Sequence, residues 1–196
     1  ILIDRIVEME IPFMTPTNAF PDSPVGIIEE HRHWMEPTAL CPDSGMLIIA
    51  IQTWVIRTPQ HLILVDTCIG CDKTNHYFES WHKRTDDSWY LKLLDKGINP
   101  ADVDFVFCTH LHGDHCGWNT RLVDGRWIPT FPNAKYIIAR QEIDQAALDN
   151  APAYQESVLP IIETGQVVAV DTDYALDDQV WLEPTPGHTP GHVAVH

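Results

Sequence analysis

The sequence predicts an α/β fold in one domain, and three observations carry that prediction. Short apolar runs rich in Val, Ile and Phe alternate with segments of helical composition along the chain. At 196 residues and 44% hydrophobic content the chain is long enough, and apolar enough, for one ordinary domain with a real core. Two clusters of chemistry-bearing residues, Thr109–Gly117 and Thr185–His192, each follow directly on an apolar run. α/β sheets concentrate their chemistry beyond the carboxyl ends of strands.

The chain opens on a strand-like run over 1–11 (Ile1, Leu2, Ile3, Ile6, Val7). Residues 12–44 contain Pro12, Pro16, Pro21, Pro24, Pro37 and Pro42 and few periodic apolar positions, so an irregular segment is expected there. With Phe13, Phe20 and Trp34 in it, the N-terminal region 1–44 is a candidate lid or wall for an active site, with surface packing as the alternative. Gly45–Arg57 and Leu62–Asp66 read as two strands joined by the turn Thr58-Pro59-Gln60-His61. Asp66 ends an apolar strand, where a carboxylate must either bind backbone or support a charged group nearby.

His76 and His82 lie in a polar and aromatic stretch without spaced partners and are expected to be surface or packing residues. Asp86 or Asp87 can cap a helix through Trp89–Leu94, which Gly97 stops. Asn99-Pro100-Ala101-Asp102 is a turn, and the strand Val103–Cys108 then leads straight into His110. Asp124-Gly125 marks a hairpin within Arg121–Pro129. A strand at Ala134–Ala139, a helix at Gln141–Asp149, a short helix through Glu163 and strands at Val167–Val170 and Gln179–Leu182 complete the pass.

The net charge of −16, from 28 acidic against 12 basic residues, argues against a nucleic-acid surface or an anionic membrane partner. A small-molecule substrate is the expected partner, and a homodimer is one assembly left open. No apolar run approaches the roughly 18 residues of a membrane span, and ILIDRIVEME carries acids where a secretory leader would be basic. Five cysteines, an odd number in a chain of this size, favour reduced thiols in a cytoplasmic setting. Cys68-Ile-Gly-Cys71 has redox spacing but no second pair, and a structural or incidental role is expected for it.

The strongest chemical signal is Thr109-His110-Leu111-His112-Gly113-Asp114-His115-Cys116-Gly117. In extended backbone His110 and His112 point to one side, because side chains alternate. After the turn that Gly113 permits, Asp114 and His115 can face a second point close by. One short loop can thus serve two metal ions. Far downstream, Thr185-Pro186-Gly187-His188-Thr189-Pro190-Gly191-His192 forms a stiff loop suited to mounting one imidazole. His188 would complete a three-histidine set with His110 and His112 and leave a coordination position open for water. His192 and His196 are expected only to begin and line the next strand.

Taken together, the strand ending Leu-Val-Asp-Thr, the THLHGDHCG loop, the FPNAKYII strand and PTPGHTPGHV resemble the metallo-β-lactamase-fold hydrolase superfamily over residues 45–196. The resemblance implies an αββα sandwich with a two-metal site at one sheet edge. It implies His110, His112 and His188 on one metal, Asp114 and His115 contributing to a second, and Asp66 as a supporting acid. Zinc is the expected metal, with manganese, iron or cobalt as alternatives, and Asp114 is the candidate to orient the nucleophile or shuttle a proton. The family pattern also includes a later metal-bridging Asp and a final His that these 196 residues do not contain. The chain is therefore expected to lack part of the domain's C-terminal half. In appearance it is most similar to the branch of N-acyl homoserine lactone lactonases and ester hydrolases. The rival readings are a glyoxalase II-like thioester hydrolase, a β-lactamase, an iron-dependent persulfide dioxygenase and a non-catalytic metal-binding module.

Overall fold

A computed structural model describes residues 1–196. The elements in order are β1 (Leu2–Met14), α1 (Pro16–Ala19), α2 (Ile27–Met35), β2 (Leu47–Arg57), β3 (Leu62–Val65), α3 (Ser88–Asp95), β4 (Phe105–Cys108) and α4 (Gly113–Cys116). After them come β5 (Thr120–Val123), β6 (Arg126–Pro129), β7 (Lys135–Ala139), α5 (Arg140–Asp149), α6 (Leu159–Glu163), β8 (Val167–Val170), β9 (Leu182–Pro184) and β10 (Val193–Val195). They pack as two compact units, Val7–Ile51 and the remainder, Ile1–Ile6 with Gln52–His196.

A mixed sheet has the strand order β1-β2-β3-β4-β7-β8, and β3, β4, β7 and β8 lie wholly in the larger unit. β2 and β3 form an antiparallel hairpin in the expected place, with Arg57 opposite Leu62. The Thr58 hydroxyl fixes its turn by accepting from the backbone N–H groups of Gln60 and His61. From β3 onward the strands run parallel, with Val65 opposite Phe107 and Cys108 opposite Ile138. Parallel strands are covered on both faces, and these read accordingly. Leu64, Val106, Tyr136 and Ile138 are buried on one face, and Ile63, Val65, Phe107 and Ile137 on the other. The second set continues into Val180, Leu182 and Val193, which places the β9–β10 pair as a second layer over the sheet. This is the sheet-on-sheet start of the sandwich that the resemblance implied.

The consequence for chemistry is positional. β3, β4 and β7 are adjacent and parallel, so their carboxyl ends open onto the same edge. Asp66 follows β3 directly, Thr109 and His110 follow β4, and α5 begins at the end of β7.

Two expectations change. Residues 12–44 are not irregular throughout: β1 extends to Met14 and α2 spans Ile27–Met35. Pro12 sits inside β1, and Pro16 opens α1, where the missing amide is harmless and the Thr15 hydroxyl caps the turn. In α2 the Arg32 guanidinium bridges Glu29 and Glu36, side-chain pairing that an apolar-periodicity search does not register. The expected strand at Gln179–Leu182 begins later, at Leu182, because Asp177 Oδ1 accepts from the backbone N–H groups of Gln179 and Val180 and holds them in a turn. Elsewhere the hairpin turn Asp124-Gly125 takes the two positive φ angles that its strands demand, 50° and 74°. Asn99 caps the turn at Pro100–Asp102 through the Ala101 N–H.

Candidate metal centre

The site is assembled from the end of β4 outward. Asp66, at φ 57°, turns its carboxylate under the motif loop. Its Oδ1 accepts from the Thr109 N–H at 2.8 Å, its Oδ2 lies 2.8 Å from the Thr109 hydroxyl, and the same Oδ2 lies 2.8 Å from His115 Nδ1. Asp66 thus hydrogen-bonds to backbone, as one of its two expected roles required, and also meets the His115 imidazole. With Nδ1 committed to Asp66, His115 presents Nε2 to Asp114 Oδ2 at 3.4 Å.

The loop after β3 and the motif helix α4 approach so closely that no side chain fits between them. The N–H groups of Thr67, Gly117 and Trp118 pair with the carbonyls of His115, Cys68 and Thr67 at 2.7–2.8 Å. A Cβ on Gly117 would lie 1.8 Å from the Ile69 carbonyl oxygen, so glycine there is a condition of the fold. Trp118, stacked on Trp89 of α3 at 5.2 Å between ring centroids, fixes the far side of the motif.

His110, His112 and His188 come together, their candidate ligand atoms all within 4.8 Å of one another. His112 Nδ1 lies 2.9 Å from His188 Nε2, with the rings near perpendicular. His110 is buried, its Nδ1 3.1 Å from the Thr109 hydroxyl. Its Nε2 is buried without any hydrogen-bond partner. An orphaned buried nitrogen costs about 1–3 kcal/mol, and one aimed into a cluster of imidazoles is what a cation would satisfy. The donor set therefore fits a metal on its own geometry.

The electrostatics agree with that fit. Burial, reinforced by the other imidazoles, drives His110 down to about 2, and burial with His188 holds His112 below the ordinary imidazole range. Both are therefore neutral and available as ligands near pH 7. Burial is the largest single influence and works against charge on Asp114 and His115, but their mutual hydrogen bond, the attraction between their charges and, for His115, the bond to Asp66 together outweigh it. Asp114 stays below the usual carboxylate range, and His115, bonded also to Asp66, is raised to about 10.

Two residues near the centre carried no signal in the sequence. Glu142, on the first turn of α5, is 3% exposed, and its two carboxylate oxygens accept from the N–H groups of Leu111 and Gly191. His192 does directly precede β10, as expected, yet its ring also packs 4.9 Å from that of His110. His196 lies apart from the centre, stacked on Trp181 with Nε2 2.6 Å from Glu183. His76 and His82 stack on each other with ring centroids 6.4 Å apart, and His82 Nδ1 lies 3.2 Å from the Asn75 N–H.

A strand-terminal acid under a histidine-rich loop, with a third imidazole from a second layer, defines a metal-binding α/β sandwich. The model of the metallo-beta-lactamase superfamily matches residues 49–196, and the chain belongs to that superfamily. It is 28% identical over 165 residues to an N-acyl homoserine lactonase of Bacillus thuringiensis, covering 79% of this chain and 60% of that one. A lactonase of Azorhizobium caulinodans is 31% identical over 117 residues, 56% of this chain and 41% of that one. Among solved structures, a probable metal-dependent hydrolase from Staphylococcus aureus superposes with a TM-score of 0.75 at 15% identity, over 99% of this chain and 67% of that one, which shows the fold. A quorum-quenching N-acyl homoserine lactone lactonase gives 0.59 at 29% identity, over 76% of this chain and 56% of that one. The chain thus spans about 40–60% of the length of the curated relatives that it matches.

Proposed function

We propose that this chain carries the metal site of a hydrolase acting on a lactone or related ester. The observation that carries this reading is the convergence of His110, His112 and His188 around the unpartnered Nε2 of His110. The superfamily match and the lactonase names of the aligned relatives support the substrate class.

In this reading His110, His112 and His188 hold one divalent metal, and Asp114 with His115, which would release its proton on metal binding, contributes to a second. Zinc suits the imidazole and carboxylate donors, and manganese, iron or cobalt would be accepted by the same set. When bound, such a metal supplies Lewis acidity, polarising a carbonyl oxygen and making water nucleophilic near neutral pH. The chain's own residues do the rest. Asp114, ionised at neutral pH, accepts the proton that the attacking water loses and returns it to the alkoxide as the carbon–oxygen bond of the ester breaks. Asp66 fixes the His115 ring by holding Nδ1, so that Nε2 faces inward. The Thr109 N–H and hydroxyl keep Asp66 itself in place.

A net charge of −16 is unsuited to polyanionic substrates and leaves a small neutral or weakly charged molecule as the partner. No helix is long and apolar enough to cross a membrane. In this reading the odd number of cysteines, five in a chain of this size, suits a reducing, cytoplasmic setting.

Metal analysis of the purified protein, followed by a panel of an N-acyl homoserine lactone, an aryl ester, a glutathione thioester and a β-lactam, tests the proposal. Hydrolysis of the lactone or aryl ester that a chelator removes and zinc restores is the expected result. Turnover confined to the thioester or the β-lactam would overturn the substrate class. Wild-type turnover in His112→Ala would overturn the site.

A further inference from the structure

We propose that Glu142 is a positioning residue that holds the two ligand-bearing loops in register for metal binding. The inference rests on the reading of His110, His112 and His188 as ligands and assigns a task to a residue outside that set. Leu111, whose N–H Glu142 Oε2 accepts at 3.2 Å, lies between His110 and His112. Gly191, whose N–H Oε1 accepts at 2.8 Å, lies between His188 and His192. One carboxylate therefore ties together two segments that are remote in sequence and belong to different layers.

The anchor is rigid and the tie is close. Glu142 sits in the first turn of α5, immediately beyond β7, which is paired on both sides by β4 and β8. A Cβ on Gly191 would lie 3.0 Å from the Gln141 Cβ, the Glu142 Cγ and the Glu142 backbone nitrogen. A hydrogen at that position is what lets the loop rest directly on α5. The loop's outer part is exposed from Glu183 through His188. Its other ties to the structure are the Val193 N–H bond to the Thr109 carbonyl, the 2.9 Å approach of His188 to His112 and the packing of His192 on His110. Among these, Glu142 is the side chain outside the imidazole cluster that hydrogen-bonds to the backbone of both loops. Partners that orient metal ligands in this way are typically worth about 10–100-fold in metal affinity, because a preset geometry spares the ordering cost on binding.

The chemistry of the clamp requires a carboxylate. Two N–H donors need two acceptors, and Glu142→Gln offers one acceptor and turns an NH2 toward the other donor. The test titrates Co2+ into the metal-free full chain and reads affinity by competition with a chromophoric chelator and geometry by the visible ligand-field absorption. The variants are Glu142→Gln, Glu142→Ala and His188→Ala. Expected are wild-type binding, near-complete loss in His188→Ala, a loss of about 10-fold with a shifted absorption band in Glu142→Gln, and a larger loss in Glu142→Ala. If the Glu142 variants keep wild-type affinity and band while only the thermal midpoint of the metal-free protein drops, Glu142 is a folding residue and the proposal fails. Should Glu142→Ala not fold, the nearly isosteric Glu142→Gln decides alone. Wild-type binding in His188→Ala, or none in wild type, overturns the ligand assignment itself and the clamp with it, a pattern distinct from failure of the clamp alone.

Discussion

The loops Thr109–Gly117 and Thr185–His192 deliver imidazoles to the same centre but are held in place by opposite means. The first is sunk into the protein: Asp66 grips its start, the segment after β3 hydrogen-bonds along its end, and Trp118 packs beneath it. The second is carried at the surface by proline and glycine stiffness, with His188 exposed and few ties to the core. A dense loop fixes ligand geometry in advance, whereas a sparse one depends on a small number of contacts and on the metal itself. Glycine shows the difference within a single residue type. Gly117 is required for lack of space, Gly187, at φ 148° in open surroundings, only for its backbone angle.

The largest expected effects come from removing one ligand from each loop. His110→Ala and His188→Ala should both reduce metal binding and hydrolysis to background, measured by metal content and turnover. Only the exposed member should leave the unfolding free energy of the metal-free chain nearly unchanged, within about 0.5 kcal/mol. Equal destabilisation by both would show that the second loop is as well anchored as the first. Next is Asp66→Asn, which weakens the acceptor for Thr109 and His115 and should cost about 10–100-fold in metal affinity; an unchanged zinc dissociation constant would contradict the support assigned to Asp66.

The glycine pair sharpens the contrast through urea unfolding of the metal-free chain. Gly117→Ala should cost about 3 kcal/mol or more, since backbone has to move. Gly187→Ala should cost only about 1 kcal/mol for its strained angle. A reversed order would overturn the picture of a dense and a sparse loop.

A pH-dependent contrast concerns Lys73, which follows the segment that braces the first loop. It is buried, donates to the Thr120 hydroxyl and the Glu156 carbonyl, and lies 3.6 Å over the Trp127 ring. Burial pushes it down to about 7 from an ordinary 10.5, against the pull of Cys116 and Glu156. Between those values the unfolded chain binds more protons than the folded one, so stability rises with pH across that window, by at most about 1.4 kcal/mol per pH unit. The rise should flatten in Lys73→Met when unfolding midpoints are compared at pH 7 and pH 10. An equal slope in both proteins would remove Lys73 as its source.

The sequence by itself marked a candidate metal site and most of the frame. Alternation and apolar runs located β2, β3, β4, β7 and β8, turn residues placed the hairpins at Thr58–His61 and Asp124-Gly125, and residue type and spacing marked His110, His112, Asp114 and His115. These features are local: a period, a turn angle and a ligand spacing are each complete within a few residues. The ion-paired helix α2 and the delayed start of β9 escaped because side-chain bonds with Arg32 and Asp177, rather than apolar periodicity, decide them. Tertiary structure alone decided how the two loops meet. It placed Asp66 on His115, left the Nε2 of His110 unpaired inside an imidazole cluster and brought Glu142 between Leu111 and Gly191. A glutamate in a helix of ordinary composition carries no mark of what it will touch. Its partners are set by the parallel arrangement of β3, β4 and β7, whose carboxyl ends open on one edge, and a side chain's meaning there depends on residues far away in the chain.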